Sequence, residues 1–198
     1  MVAKTTDQER LFAYLQPNLA LREADLWEFV KLWQPQQRQK GEWLSQPDKE
    51  EQYFYFVLEG VQRLLFTSEA GRDFTLGFSY AGEVSGLFHS FLLRQTTEVG
   101  LQCLTPSRFL AIHRDAWLTA QQRWPELDRW ALSFVTRILM GRTQREIELL
   151  KHTAQERYER FQARSGHLFL QVPHKIIAAY LGMSAETLSR LRAQSTER

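Results

Sequence analysis

Near the end of this 198-residue chain, Glu186, Thr187, Ser189 and Arg190 crowd into one short run, with Ser184 before them and Arg192 after. Together they offer a carboxylate, three hydroxyls and two guanidinium groups. A guanidinium forks onto guanine O6 and N7, a carboxylate accepts from cytosine N4, and hydroxyls serve base edges or phosphates. This is chemistry suited to reading DNA, provided that a rigid element carries the groups into a groove. Competing chemistries find no support. Cys103 is the only cysteine, which excludes an intrachain disulfide, a thiolate zinc cage and an iron–sulfur cluster. The histidines at 89, 113, 152, 167 and 174 are scattered, with no metal-binding spacing. No catalytic residue, metal or cofactor is expected.

The element that must present these groups is a pair of short helices. Pro173 suits the first turn of one helix, and Gly182 suits the position just past its end, where a left-handed residue stops it. Ser184 stands where a side-chain oxygen caps the next helix, and Glu186 adds a negative charge to its first turn. Thr187 occupies the place of the acidic partner, so the capping box is incomplete. Ile177, Leu181, Leu188 and Leu191 fall on facing sides, and small Ala178 lets the helices cross closely. This is helix-turn-helix spacing. An ordinary helical corner with a solvated outer face has similar spacing.

The run from Ser184 to Arg190 also resembles the recognition helix of the Crp/Fnr family of bacterial transcription regulators. The resemblance implies half-site reading by Glu186, Ser189 and Arg190. Arg192, which points elsewhere on the helix, is the candidate phosphate contact. A β-hairpin wing usually follows this helix in the family, and none is expected before the sequence ends at Arg198.

Composition agrees with a globular protein: 43% of residues are hydrophobic and 24% charged, enough for a substantial core. No apolar run is long enough to span a membrane, and the N-terminus lacks a signal-peptide pattern, so a cytoplasmic location is expected. The formal charge of +2 conceals an asymmetry. From Lys151 onward eight basic residues face four acidic ones, leaving the first 150 residues mildly acidic. A basic C-terminal part on an acidic remainder suits a nucleic-acid module joined to a regulatory one.

Residues 11–15 and 21–33 show helical spacing, and Pro35 is expected to end the second helix. Residues 53–58, 61–66, 74–80, 99–104 and 108–112 read as antiparallel strands separated by turn signals, with a helical turn within 86–93. The order Lys40-Gly-Glu, Phe56-Val-Leu-Glu-Gly, then Gly82-Glu83 before a short helix is similar to the cyclic-nucleotide-binding β-roll of Crp/Fnr proteins. That resemblance implies an effector pocket around Gly82, Glu83, Leu87, Arg94, Thr96 and Thr97. Leu87 and Thr97 stand where nucleotide-binding members place a ribose-binding Glu and a phosphate-binding Arg. Cyclic AMP is therefore not the expected ligand. Arg94 could reach in from the loop, and the Thr96 and Thr97 hydroxyls could donate, but no hydroxyl neutralises a phosphate.

Residues 117–158 read as helical, with Leu127, Ala131, Phe134 and Ile138 at alternating steps of four and three. A seam of that period on a long helix suits pairing in a homodimer, or packing on the chain's own sheet. Gly141 and Arg142 interrupt it before Ile147 and Leu150 resume it. The expected architecture is α+β: a jelly-roll-like double-stranded β-roll sensor over 1–116, a long dimerisation helix over 117–150, and a helix-turn-helix domain over 151–198 lacking the final wing. The expected function is a DNA-binding transcription regulator whose partners are double-stranded DNA, a second copy of the chain and a small-molecule effector of unassigned identity. The rival is a sensor whose helix-turn-helix contacts protein instead of DNA. A cupin-like enzyme is not expected, because clustered histidine and carboxylate ligands are missing.

Overall fold

The structure, a computed structural model, describes residues 5–196. Two helices open it, α1 (Asp7–Leu15) and α2 (Glu23–Val30). A capping box starts α1: the Thr6 hydroxyl accepts from the Glu9 amide at 3.2 Å, and the Glu9 carboxylate accepts from the Thr6 amide at 2.6 Å. Helix α2 stops at Val30, short of the expected Trp33, so Pro35 does not end it. Pro35 lies inside strand β1 (Gln34–Arg38), which pairs with β8 alone at a sheet edge. An edge strand tolerates proline because one side of its backbone needs no ladder partner. Its polar run, Gln-Pro-Gln-Gln-Arg, has no apolar alternation to announce a strand.

The remaining strands are β2 (Trp43–Ser45), β3 (Tyr53–Glu59), β4 (Val61–Thr67), β5 (Asp73–Tyr80), β6 (Val84–Ser85), β7 (Gly100–Cys103) and β8 (Ser107–His113), with helix α3 (Phe88–Leu93) between β6 and β7. They form two four-stranded antiparallel sheets, ordered β1-β8-β3-β6 and β2-β7-β4-β5. This is the expected double-stranded roll.

Strand β3 explains its own unbroken apolar run. Successive side chains alternate faces. Phe54, Phe56 and Leu58 turn toward the helical layer, while Tyr55 and Val57 fill the space between the sheets with Leu44, Leu101, Cys103, Phe109 and Ala111. Both faces are buried. At the turn into β4, Gly60 has φ +92°, and a Cβ there would sit 2.2 Å from the Ser107 hydroxyl and 2.6 Å from the Pro106 carbonyl. Glycine is required on both counts.

After the roll come α4 (Arg114–Arg123), α5 (Glu126–Lys151), α6 (Ala154–Ser165), a 3-10 turn (Gly166–Leu170), α7 (His174–Tyr180) and α8 (Ala185–Thr196). The helical stretch expected over residues 117–158 is divided among α4, α5 and α6, with breaks at Trp124 and His152. Thr153 and Glu156 form a second capping box that starts α6 afresh. Any wing would follow α8 and lies outside the described residues.

Helix α5 decides how the layers meet. Leu127, Trp130, Ala131 and Phe134 are buried in the chain's own core, and Ile138 packs against it. Phe134 stacks on Trp130 at 5.4 Å and meets Phe88 of α3 at 4.7 Å. The seam expected to join two copies is thus consumed within one chain. The apolar residues of α5 left exposed are Leu132 (69%), Leu139 (62%), Met140 (67%), Ile147 (44%) and Leu150 (83%). Two stripes share the helix, and only the placement of the sheet and α3 shows which one is internal.

Phe134→Ala should therefore cost about 3–5 kcal/mol of folding stability. Urea unfolding followed by tryptophan fluorescence would measure the loss. A change below about 1 kcal/mol would place Phe134 outside the core.

Candidate nucleic-acid interface and effector cavity

Helix α7 starts at the Pro173 carbonyl, which accepts from the Ile176 amide at 2.9 Å, so Pro173 stands at the cap instead of inside the first turn. Its other end is a complete Schellman motif. The Met183 amide donates to the Ala178 carbonyl at 3.0 Å, the Gly182 amide donates to Ala179 at 3.1 Å, and Gly182 has φ +65°. Two arginines from earlier helices take the next carbonyls. Arg145 of α5 donates to Tyr180 at 2.7 Å, while Arg157 of α6 donates to Leu181 at 2.8 Å and to Gly182 at 3.3 Å. Cations are favourable at the negative end of a helix, so these bonds fix the turn to α5 and α6. No sequence spacing connects residues 145 or 157 with the turn, and neither arginine is recognisable in advance.

Helix α8 begins at Ser184, whose hydroxyl accepts from the Thr187 amide at 3.1 Å. The Thr187 hydroxyl lies 3.2 Å from the Ser184 hydroxyl, in place of the carboxylate that would complete a box. Glu186 has its carboxyl held below the usual carboxylate range by its own amide and by the Ser184 hydroxyl, which keeps it an acceptor at neutral pH. Ile177, Ala178, Leu181, Leu188 and Leu191 are buried with Tyr158, Phe161, Leu168, Phe169 and Val172 in a second core that Val61 and Leu104 of the roll also enter. Ser184, Glu186, Ser189 and Arg190 are exposed and Thr187 is half-buried, so the structure brings these five together on the outward side. Arg192 goes elsewhere. Its guanidinium lies over the Phe169 ring at 5.1 Å and contacts the His174 ring, packing against the start of α7.

A cavity of about 410 Å³ opens between the sensor and this domain. Strand β5 and the turn after it supply one wall, α5 another, and Phe161, Arg164, Ser165, Leu168 and Tyr180 the third. A second cavity of about 350 Å³ adjoins it between the roll, α3 and α5, sharing Leu64, Leu76, Gly86, Phe88, Ile138 and Arg142. Of the expected pocket residues, Glu83 lines the larger cavity and Leu87 the smaller. Gly82, Arg94, Thr96 and Thr97 line neither. Gly82 is an exposed turn residue with φ +89°. Arg94 is exposed in a left-handed conformation at the end of α3, so it does not reach inward. Thr96 is exposed, and the Thr97 hydroxyl accepts from the Val99 amide at 3.2 Å.

The guanidinium groups of the cavity come instead from α5, as Arg142 and Arg145, with Arg164 from α6. Ser79 and Ser85 add hydroxyls 2.9 Å apart. Burial raises the Glu83 carboxyl above its usual range, with Tyr80 opposing the shift. Burial also raises Tyr80, which stands against Ser165 and Glu83. The one signal available in the sequence was the Gly141-Arg142 interruption of the apolar stripe. Among the described residues no group of three or more histidine, cysteine or carboxylate side chains could hold a metal, and no helix is long and apolar enough to cross a membrane.

Comparison with known proteins agrees with this architecture. Residues 35–123 match the cyclic nucleotide-binding domain family. Among curated proteins no sequence matches the chain. Among solved structures, FixK2 from Bradyrhizobium japonicum is 20% identical with a TM-score of 0.71, over 82% of this chain and 83% of its own. The catabolite activator protein of Thermus thermophilus is 23% identical with a TM-score of 0.57, over 90% and 85%. CLP of Xanthomonas campestris, described as a c-di-GMP responsive global regulator, is 16% identical with a TM-score of 0.65, over 89% and 92%. Residues 35–123 thus match the cyclic nucleotide-binding domain family, and the chain as a whole shares the fold of FixK2 and of the catabolite activator protein.

Proposed function

We propose that the chain is a DNA-binding transcription regulator, not an enzyme, and that it acts as a homodimer. The observation that carries this reading is the outward set Glu186, Ser189 and Arg190 on a helix whose turn is fixed by the Schellman motif and by Arg145 and Arg157. Rigid presentation is what base readout requires. The names of CLP and the catabolite activator protein, which share the fold, support the same direction.

The dimer seam lies on the exposed stripe of α5. Leu132, Thr136, Leu139, Thr143 and Leu150 recur at steps of four, three, four and seven, a heptad seam opposite the internal face. Two copies joined there would relate their α8 helices by a two-fold axis, as a palindromic site requires. Arg190 is the base reader in this arrangement. Arg192, packed on Phe169 and His174, positions the domain and has a smaller part in phosphate contact than its sequence position suggests.

The effector is not cyclic AMP. Leu87 is buried and apolar, and the Thr97 hydroxyl is engaged with its own loop, so neither a ribose nor a cyclic phosphate meets a charged partner there. Calorimetry with millimolar cyclic AMP should give no saturable micromolar isotherm. Such an isotherm would show an anchor elsewhere in the roll.

Selection from random duplexes should recover a palindrome. On it, Arg190→Ala should lose about 1–3 kcal/mol per half-site and relax the preference at one base pair. Equal weakening on selected and scrambled duplexes would rule out base readout by Arg190, and absence of any DNA binding at low salt would favour the protein-contact rival.

A further inference from the structure

Arg142 and Arg145 lie one turn apart on α5, and both line the cavity between the sensor and the helix-turn-helix domain. Like charges one turn apart repel: Arg142 is exposed at the rim of the cavity and Arg145 half-buried, and partial desolvation together with Arg145 holds the Arg142 guanidinium below its usual range. Internal partners do not relieve this. Arg145 spends one nitrogen on the Tyr180 carbonyl and lies 4.2 Å over that ring, but its Nε is buried without a hydrogen-bond partner. Arg142 makes no hydrogen bond or ion pair among the described residues. Arg164 faces Glu148 at 3.5 Å, and Glu83 forms no ion pair with either α5 arginine.

We propose that this cavity binds a small organic anion, with Arg142 as its charge anchor and the positive charge of Arg145 beside it. The volume of about 410 Å³ suits a small molecule, and the lining is mixed as ligand sites are. Phe78, Phe88, Leu76 and Ile138 receive an apolar body, while Ser79 and Ser85 stand ready for a polar substituent. A phosphate, sulfonate or carboxylate accepts a planar guanidinium fork, which neither Leu87 nor Thr97 can supply. The anchor thus sits on α5, away from the loop after α3. Because Arg145 also holds the end of α7, occupancy is felt at the helix-turn-helix turn. That coupling to DNA rests on the regulator reading above, whereas the binding site does not.

The test uses the full chain without DNA. Two fluorescent probes share one apolar body: 8-anilinonaphthalene-1-sulfonate carries a negative charge, and N-phenyl-1-naphthylamine is neutral. The parent should bind the sulfonate saturably, one per chain, about tenfold or more tighter than the neutral probe. Arg142→Met should abolish that preference while leaving neutral-probe binding and the melting temperature unchanged, and Arg142→Lys should keep part of it. A parent without the preference, or an Arg142→Met variant that retains it, overturns the site. DNA titrations then separate the two claims, because a chain that shows the preference yet binds no DNA keeps the anion site and removes the regulator reading.

Discussion

Helix α5 carries two apolar faces, and the rest of the structure depends on each having a different use. One face places Leu127, Trp130 and Phe134 against the roll and Phe88, which contributes roughly 1.5–3 kcal/mol for each large side chain removed from water. That burial makes the helix a rigid extension of the roll. Further along, the same helix passes the cavity at Arg142 and reaches the helix-turn-helix turn through Arg145 and Leu149, whose side chain would lie 3.1 Å from a Cβ at Gly182. The opposite face stays apolar and exposed at Leu132, Leu139 and Leu150. A single element therefore touches the roll, the cavity and the helix-turn-helix, and presents the surface that the proposed dimer would cover.

Coupling between the parts has a physical basis in the packing. Phe78 of β5 meets Tyr180 at 5.0 Å and Phe161 at 6.5 Å, and Tyr80 meets His167 at 4.6 Å. Aromatic contacts of this kind contribute about 0.5–1.5 kcal/mol beyond their buried area. They join the strand that walls the cavity to α6, the 3-10 turn and α7. A ligand shifts such an arrangement only by the difference in its affinity for two states. A cavity whose walls come from both parts is where that difference can arise, because moving one part against the other changes the cavity itself.

How much of this was legible in the sequence follows from the range of the interactions involved. The helix-turn-helix was readable because Gly182 and Ser184 act on backbone groups a few residues away. Strands β3, β4, β5, β7 and β8 were readable because apolar runs and turn residues mark them locally. Strand β1 was not, since backbone pairing with β8, far along the chain, holds its polar sequence in place. The two stripes of α5 were both visible, but their assignment needed the position of Phe88 and the sheet. Arg94 was favoured for the pocket by its nearness in sequence. The left-handed end of α3 leaves it exposed, and chain reversal brings Arg142 to the cavity instead.

Sedimentation equilibrium of a surface variant tests the division of labour on α5 directly. Leu132→Glu adds a charge to the exposed stripe and leaves the internal face intact. A dimeric parent at micromolar concentration and a monomeric variant with an unchanged melting temperature are expected, since only a dimer would bury that charge. A parent that remains monomeric at tens of micromolar, or a variant that stays dimeric, would contradict it.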